Sequence, residues 1–459
     1  MHEINHPDRL FPINLDQKKL ARTLYDSVKN LPILSPHGHT DPKWFHENKH
    51  FTNATELLLT PDHYLLRMLY SQGIPLEIFG RGKKLDEQEQ KTAWRVFAEN
   101  YFLFSGTPSW IWLNHVFSEV FGIQEELAKE NADLFYETIN KKLQSDEFKP
   151  NALLDRFNIE KIATTDEAID SLEFHTNSKV IPTFRPDRLT DPEHDDFYEH
   201  LNKLSDLTGE NISKVNGYLN ALMKRREFFK TKGATATDHG HPTAQTLSLS
   251  ETELQKLLDK ALKKEITAQE SEQFRAAMLV EMAKLSLDDG LVMQIHPGSH
   301  RNHNLKLFKN IGRDVGADIP QSTEYTHALK DLLNTVGNES HLNIIIFTLD
   351  ENRYSTELAP LAGHYPALKL GPAWWFHDSF EGMMRFRERT METAGFYNTV
   401  GFNDDTRAFF SIPARHDVAR RVDAHFISKL ILEKRITEKS AFKLMEDLTY
   451  NLPKKAYQL

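Results

Sequence analysis

Residues 271–303 read SEQFRAAMLVEMAKLSLDDGLVMQIHPGSHRNH. The stretch 271–290 is helix-like, and it feeds a short apolar run, Leu291–His296. A run of this length and composition reads as a buried parallel strand. It delivers His296 at its end, with His300, Arg301, Asn302 and His303 just beyond. Seven further runs have the same character: Leu31–Leu34, Ile159–Thr165, Lys179–Phe184, Gly233–Thr237, Leu342–Leu349, Ala367–Gly371 and Thr399–Phe402. Helix-like stretches lie between most of them, such as FEGMMRFRERTMETAG at 380–395. Eight strands alternating with helices predict an α/β fold of the (β/α)8, TIM-barrel type. A doubly wound open sheet is the alternative, but the G-x-G-x-x-G phosphate turn is absent.

The chain has 459 residues, and (β/α)8 barrels with insertions reach more than about 400. We therefore expect one domain over 1–459, with 40–154 as an α-helical insertion between strands one and two. The helix-like stretches there are TPDHYLLRMLYSQG, LDEQEQKTAWRVFAENYFLF, SWIWLNHVFSEVFG and LAKENADLFYETINKKL. The net charge of −10 argues against nucleic acid as a partner. No run approaches the ~18 apolar residues of a membrane span, and the N-terminus shows no signal-peptide pattern. A cytoplasmic location is the expectation. With no cysteine and 22 histidines, any metal must be held by imidazole and carboxylate, and thiol chemistry is excluded.

Catalytic groups of this fold come from the C-terminal ends of strands. The first run delivers His37-Gly38-His39, the third Arg185-Pro186-Asp187 and the fourth Asp238-His239. The seventh delivers Trp374-Trp375 and the eighth Asp404, Asp405 and Arg407. On an extended chain, His37 and His39 point to the same side and can share one cation at ~2.0–2.1 Å. The first and eighth strands are neighbours in a closed barrel, which brings an Asp to that pair. Periodicity does not choose between Asp404 and Asp405, and a solvated acidic loop is the plainer alternative. Arg185 suits a carboxylate or phosphate, or equally a salt bridge to Asp187. Arg407 either shares a face with Asp405 or pairs structurally with one of the two Asp residues. Asp62-His63-Tyr64 opens a helix-like run, with Asp62 read as a first-turn acid. Tyr64 alone reads as packing. The Trp pair reads as core, or as a wall stacked on a sugar.

Taken together, and in order, these segments resemble the uronate (glucuronate) isomerases of the amidohydrolase superfamily. They are PHGHTDP at 36–42, LLLTPDHYLLRMLYSQG at 57–73, ATTDEAIDSLEFH at 163–175, PTFRPD at 182–187, TDHG at 237–240, VMQIHPGSHRNHN at 292–304, LGPAWWFHDSFEGM at 370–383 and NDDTRAFFSIPARHD at 403–417. The resemblance implies a metal site of His37, His39 and Asp405. The family's D-x-R-x-F pattern selects Asp405 over Asp404. It makes His63, Tyr64, Arg185 and Arg407 substrate-site residues, with His239, His296, Trp374 and Trp375 in matching segments. Gly38, Thr40 and Asp404 stand where many members carry Cys, Leu and Thr. No Lys ends the fourth run and no His the sixth, so one cation is expected rather than two.

The implied activity is aldose–ketose isomerisation of a hexuronate: D-glucuronate to D-fructuronate, or D-galacturonate to D-tagaturonate. A proton leaves C2 and returns to C1, so a base, proton carriers and charge stabilisation are needed. Asp405, or water it activates, is the expected base. Tyr64 and His63 are the proton carriers, and Arg185 and Arg407 bind carboxylate or enediolate. His239 assists ring opening. Zinc suits the ligand set and manganese is compatible; no organic cofactor is expected. A homo-oligomer is compatible with the sequence. A mononuclear metal-dependent hydrolase or decarboxylase on the same scaffold is the other enzymatic reading, and a non-catalytic sugar-acid binder the third.

Overall fold

The computed structural model describes residues 4–459. Its strands are β1 (Ile33–Ser35), β2 (Ile159–Ala163), β3 (Asp166–Glu167), β4 (Val180–Ile181), β5 (Phe184–Arg185), β6 (Ala236–His239), β7 (Val292–Ile295), β8 (Ser299–His300), β9 (Ile319–Pro320), β10 (Ile344–Ile346) and β11 (Leu368–Leu370). Two parallel sheets run β1-β2-β4 and β3-β5-β6-β7-β10-β11. β2 and β3 belong to one run of chain, as do β4 and β5. Thr164 N–H to Ile181 C=O (2.9 Å) and Asp166 N–H to Thr183 C=O (3.0 Å) carry the pairing across the breaks. Pro182 lies in the break between β4 and β5, where it has no N–H to give a ladder.

The runs therefore pair in sequence order, each beside the next, as the α/β reading requires. The expected eighth strand at 399–402 is reduced to a single parallel bridge between Leu370 and Thr399. At the opposite edge, His39 N–H donates to Thr406 C=O at 3.0 Å. The ends of the ordered series meet there through backbone loops rather than a ladder. The fourth strand starts at Ala236, later than the expected Gly233, because Gly233 (φ +92°) lies in the turn after helix Val215–Thr231. The short antiparallel pair β8–β9 was not foreseen. Its two-residue strands lack any periodic signal.

Alternation along the strands sorts side chains into two cores. Met293, Ile295, Ile344, Ile346, Leu368 and Leu370 pack with the outer helices, including Val215–Thr231 and Ala268–Asp289. Ala236, Val292, Ile345, Phe347 and Val400 gather on the other face with Trp374 and Tyr457. Between Ser35 and Ile159 the regular elements are all helical, the longest being Glu87–Glu99 and Ala132–Leu143. They enclose Leu65, Leu66, Trp94, Phe97, Phe117 and Phe135.

Helix Ala268–Asp289 starts with a Thr267/Glu270 capping box and stops at Gly290 (φ +79°). A residue in the left-handed region is what glycine supplies at a helix end. The helix is fastened at that end by Asp289, which accepts from Arg226 Nε (2.6 Å) and Nη2 (2.9 Å). Arg226 is fully buried. Removing the acid leaves its guanidinium uncompensated, so Asp289→Ala is expected to lose about 3 kcal/mol of stability, read from the urea midpoint.

Candidate active site

All the long strands run the same way, so their C-terminal ends share one side. A cavity of about 480 Å³ opens there. His37, His39, His63, Tyr64, Arg185, His296, Trp374, Trp375, Asp405 and Arg407 all line it. Sequence positions 37 and 407 thus converge on one space.

His39 Nε2 lies 3.1 Å and His37 Nε2 3.5 Å from the same oxygen, Asp405 Oδ1. Their potential ligand atoms fall within 4.8 Å of one another. The backbone is closely approached between the histidines: a Cβ added at Gly38 would sit 3.2 Å from Thr406 C=O, so a side chain there needs the Thr406 loop to give by a few tenths of an ångström. Burial would raise the Asp405 carboxyl, but His37 and His39 hold it well below the usual carboxylate range. Burial pushes His39 below its ordinary value, against the pull of Asp405. An ionised carboxylate and two imidazoles fit a divalent cation.

Asp405 takes φ +36°, in the left-handed region. The chain is therefore not extended at this point, as the face-sharing reading of Asp405 and Arg407 supposed. The turn separates the two acids. Asp404 is buried and its Oδ2 meets His416 Nε2 at 3.0 Å, away from His37 and His39. Gly38 and Asp404 touch the same spot: a Cβ on Gly38 would lie 3.7 Å from Asp404 Oδ1.

A second convergent group, His37, Asp238 and His296, shares His37 with the first. Its acid is already compensated. Asp238 Oδ1 is 2.6 Å from His296 Nδ1, and Arg185 Nη1 is 3.2 Å from Asp238 Oδ2. Burial opposes ionisation of Asp238, but Arg185 and His296 hold it well below the carboxylate range. Among the described residues Asp405 faces imidazoles and no cationic side chain in hydrogen-bonding reach, so its group is the one with ligand capacity left for a cation. Burial keeps His296 below its ordinary value, so Nδ1–H donates to Asp238 and Nε2 keeps its lone pair. The ring is stacked between His37 (4.6 Å) and Phe347 (3.9 Å).

Arg185 does make the salt bridge to Asp187, Nε to Oδ2 at 2.7 Å, and still faces the cavity. Asp187 also accepts from Gly240 N–H at 3.1 Å. Any side chain at 240 would overlap the Arg185 guanidinium, whose Nη2 lies 2.0 Å from the built Cβ.

His239 corrects the expectation. It is fully buried and is not among the residues that line the cavity, and its Nε2 lies 3.1 Å from Thr237 Oγ1. Strand alternation is the reason: with Asp238 turned inward, Thr237 and His239 share the opposite face. Burial drives His239 down to about 3, so it stays neutral.

Asp62 is the N-cap of helix His63–Ser71 rather than a first-turn acid, accepting from Tyr64 N–H (2.9 Å) and Leu65 N–H (3.2 Å). This cap aims the next two side chains. His63 and Tyr64 stack at 4.7 Å, His63 meets Trp375 edge-on at 5.7 Å, and Tyr64 Oη donates to Trp375 C=O at 3.4 Å. Burial, and then Arg407, push His63 down to about 3. Burial raises Tyr64 above its ordinary value. Both are neutral hydrogen-bonding groups near pH 7.

Several lining residues were not singled out from sequence. Arg415 is buried, donates to Asp378 Oδ2 at 2.5 Å and lies 3.6 Å from the Trp112 ring centroid. Asp314 also lines the cavity, as do Arg301, named beyond the fifth run, and His241, at the tip of the fourth. Arg415 stood inside the quoted segment NDDTRAFFSIPARHD, but a helical Arg carries no signal that it points into a site.

Against known proteins, the family model for glucuronate isomerase matches residues 12–457. The chain is 57% identical to the uronate isomerase of Phenylobacterium zucineum, over 99% of this chain and 96% of that one. The crystal structure of glucuronate isomerase from Caulobacter crescentus superposes with TM-score 0.97 at 55% identity, covering 100% of this chain and 98% of that one. The uronate isomerase structure from Thermotoga maritima gives 0.92 at 28% identity, with 99% and 100% covered. The α/β fold with its strand-end His/Asp cluster is thus that of a metal-fitted sugar-acid enzyme. The chain belongs to the glucuronate (uronate) isomerase family.

Two outcomes follow. A cation at 100 times its dissociation constant stabilises a folded protein by about 2.7 kcal/mol. Zinc is expected to raise the melting temperature accordingly, and Asp405→Asn to lose that increment. The second concerns Asp378, whose carboxyl burial lifts from 3.8 to about 7 against the opposing Arg415. A carboxyl raised in the folded state contributes stability below its unfolded pKa and loses it as pH rises through the folded one. Asp378→Asn lacks that loss. Between about pH 4 and pH 7, the variant's stability relative to wild type is expected to climb, as measured by urea melts at each pH.

Proposed function

We propose that this protein is an aldose–ketose isomerase of hexuronates, converting D-glucuronate to D-fructuronate, D-galacturonate to D-tagaturonate, or both. Family membership over the whole chain carries the reading. The convergence of His37, His39 and Asp405 beside two arginines supports it. A hexuronate needs a guanidinium for its carboxylate, and Arg185 and Arg407 both face the cavity.

In this reading the chain acts as one domain over 1–459, and the helical insertion 40–154 supplies His63 and Tyr64. His37, His39 and Asp405 hold one divalent cation, zinc by ligand preference, with manganese compatible. Bound there, the ion supplies Lewis-acid polarisation of the sugar oxygens at C1 and C2. Asp405, directly or through a water, takes the C2 proton. Neutral His63 and protonated Tyr64 carry protons at O1 and O2. Arg185 and Arg407 divide the substrate carboxylate and the enediolate between them. Trp374 and Trp375 wall the cavity, and His296 presents its unpartnered Nε2 beside His37. The enzyme works in the cytoplasm, and no helix among the described residues is long and apolar enough to cross a membrane.

The test is a proton NMR time course in D₂O with zinc-loaded protein and each hexuronate in turn. A 2-ketose product carrying solvent deuterium at C1 is expected. An unchanged sugar with metal bound overturns the reading, and release of CO₂ or a new acid would place the protein among hydrolases or decarboxylases. In the same assay Asp405→Asn is expected to fall below a tenth of wild-type turnover, a barrier increase of more than about 1.4 kcal/mol.

A further inference from the structure

Arg407 differs from the other arginines of the cavity. Arg185 is engaged by Asp187 and Asp238, and Arg415 by Asp378. Among the described residues Arg407 makes no hydrogen bond. Its single carboxylate neighbour within 4 Å is Asp314, Nη2 to Oδ1 at 3.6 Å. Asp314 comes from the segment between helix Leu305–Ile311 and β9, and its carboxylate lines the cavity.

The loop just beyond Asp314 is held in place by its neighbours. Arg67, on the helix that carries His63 and Tyr64, donates to Gly316 C=O (3.0 Å) and Asp318 C=O (3.1 Å). Gly316 (φ +80°) lies so close to that helix that a Cβ would stand 2.7 Å from His63 C=O. The Asp318 carboxylate accepts from Asn302 N–H (2.7 Å) and Arg301 Nη1 (2.9 Å). Asp314 itself takes φ +60°, a left-handed conformation uncommon outside glycine, and strained residues cluster at working sites. Burial works against its ionisation, but Arg407 and Arg301 keep it below its ordinary value.

We propose that Asp314 is a specificity-determining residue: a fixed internal carboxylate that holds Arg407 in the ligand-free cavity and that an anionic sugar must displace. The pair is half open to solvent, with side chains 47% and 31% exposed, so a ligand carboxylate can exchange for it. The exchange sets the balance between hexuronates and neutral sugars. It rests on the hexuronate reading above.

The test uses the full-length zinc-loaded protein and Asp314→Asn. Asparagine keeps the side-chain shape and tolerates left-handed backbone. Calorimetric titration with D-gluconate, a monoanion that cannot isomerise, is compared with neutral D-glucitol. Exposed ion pairs are worth up to about 1 kcal/mol, so Asp314→Asn is expected to bind gluconate about fivefold tighter, with glucitol unchanged. The KM for hexuronate falls in parallel. Gluconate binding that is unchanged or weaker overturns the proposal, as does equal tightening of gluconate and glucitol. Absence of turnover in the wild type would instead fall on the isomerase reading, because calorimetry decides the role of Asp314 without activity.

Discussion

One seam governs this molecule. The series of parallel strands has two ends, and they meet at His39 N–H to Thr406 C=O, 3.0 Å. Beside that bond, His37 and His39 converge on one oxygen of Asp405. Both ends of the chain's long path are thus joined by an atom set that fits a cation. The loop that brings Asp405 there is in a left-handed turn, and it passes close against Gly38. Ligand geometry and closure of the architecture are the same constraint.

The cavity above the seam is crowded with ionisable groups, and several in and beside it are answered by their neighbours. Asp238 answers to Arg185 and His296, Asp187 to Arg185 and the Gly240 amide, and Asp378 to Arg415. Isolated charges buried in protein are costly, and paired and hydrogen-bonded ones are tolerated. After this accounting two functional sites remain with open valence: Asp405, with its imidazoles alone, and Arg407, with a distant carboxylate. Those are the groups to which the proposed function assigns a metal and an anion.

Much of this was legible in the chain. Seven of the eight apolar runs became paired strand because buried parallel strands are short, β-branched and punctuated, as LNIIIFTL is. The eighth, TVGF, is reduced to one bridge, since the seam beyond it is built from loops with no periodicity to read. His37, His39 and Asp405 were reachable from the H-x-H spacing and strand adjacency, with the choice of acid supplied by family pattern. His239 also stands at a strand tip, but alternation turns it away from the cavity lining, and Asp238 takes the inward place. Arg415 and Asp314 were invisible. One sits in a helix and the other in a loop, and only the folded chain brings either to the cavity.

Tyr457 carries a consequence for how the molecule is made. It lies in helix Leu452–Tyr457, after every strand, yet it is buried among Ala236, Val292, Ile345 and Val400, and Asn403 donates to its hydroxyl at 3.2 Å. Asn343, before β10, donates to Ala456 C=O at 3.2 Å. On the ribosome, the strands emerge well before the residue that fills the space between them. The sheet can assemble early, but its interior cannot be completed until Tyr457 has been made. A chain stalled or clipped before Tyr457 would hold a formed sheet with its inner face unfilled, a substrate for chaperones and proteases rather than a slower enzyme.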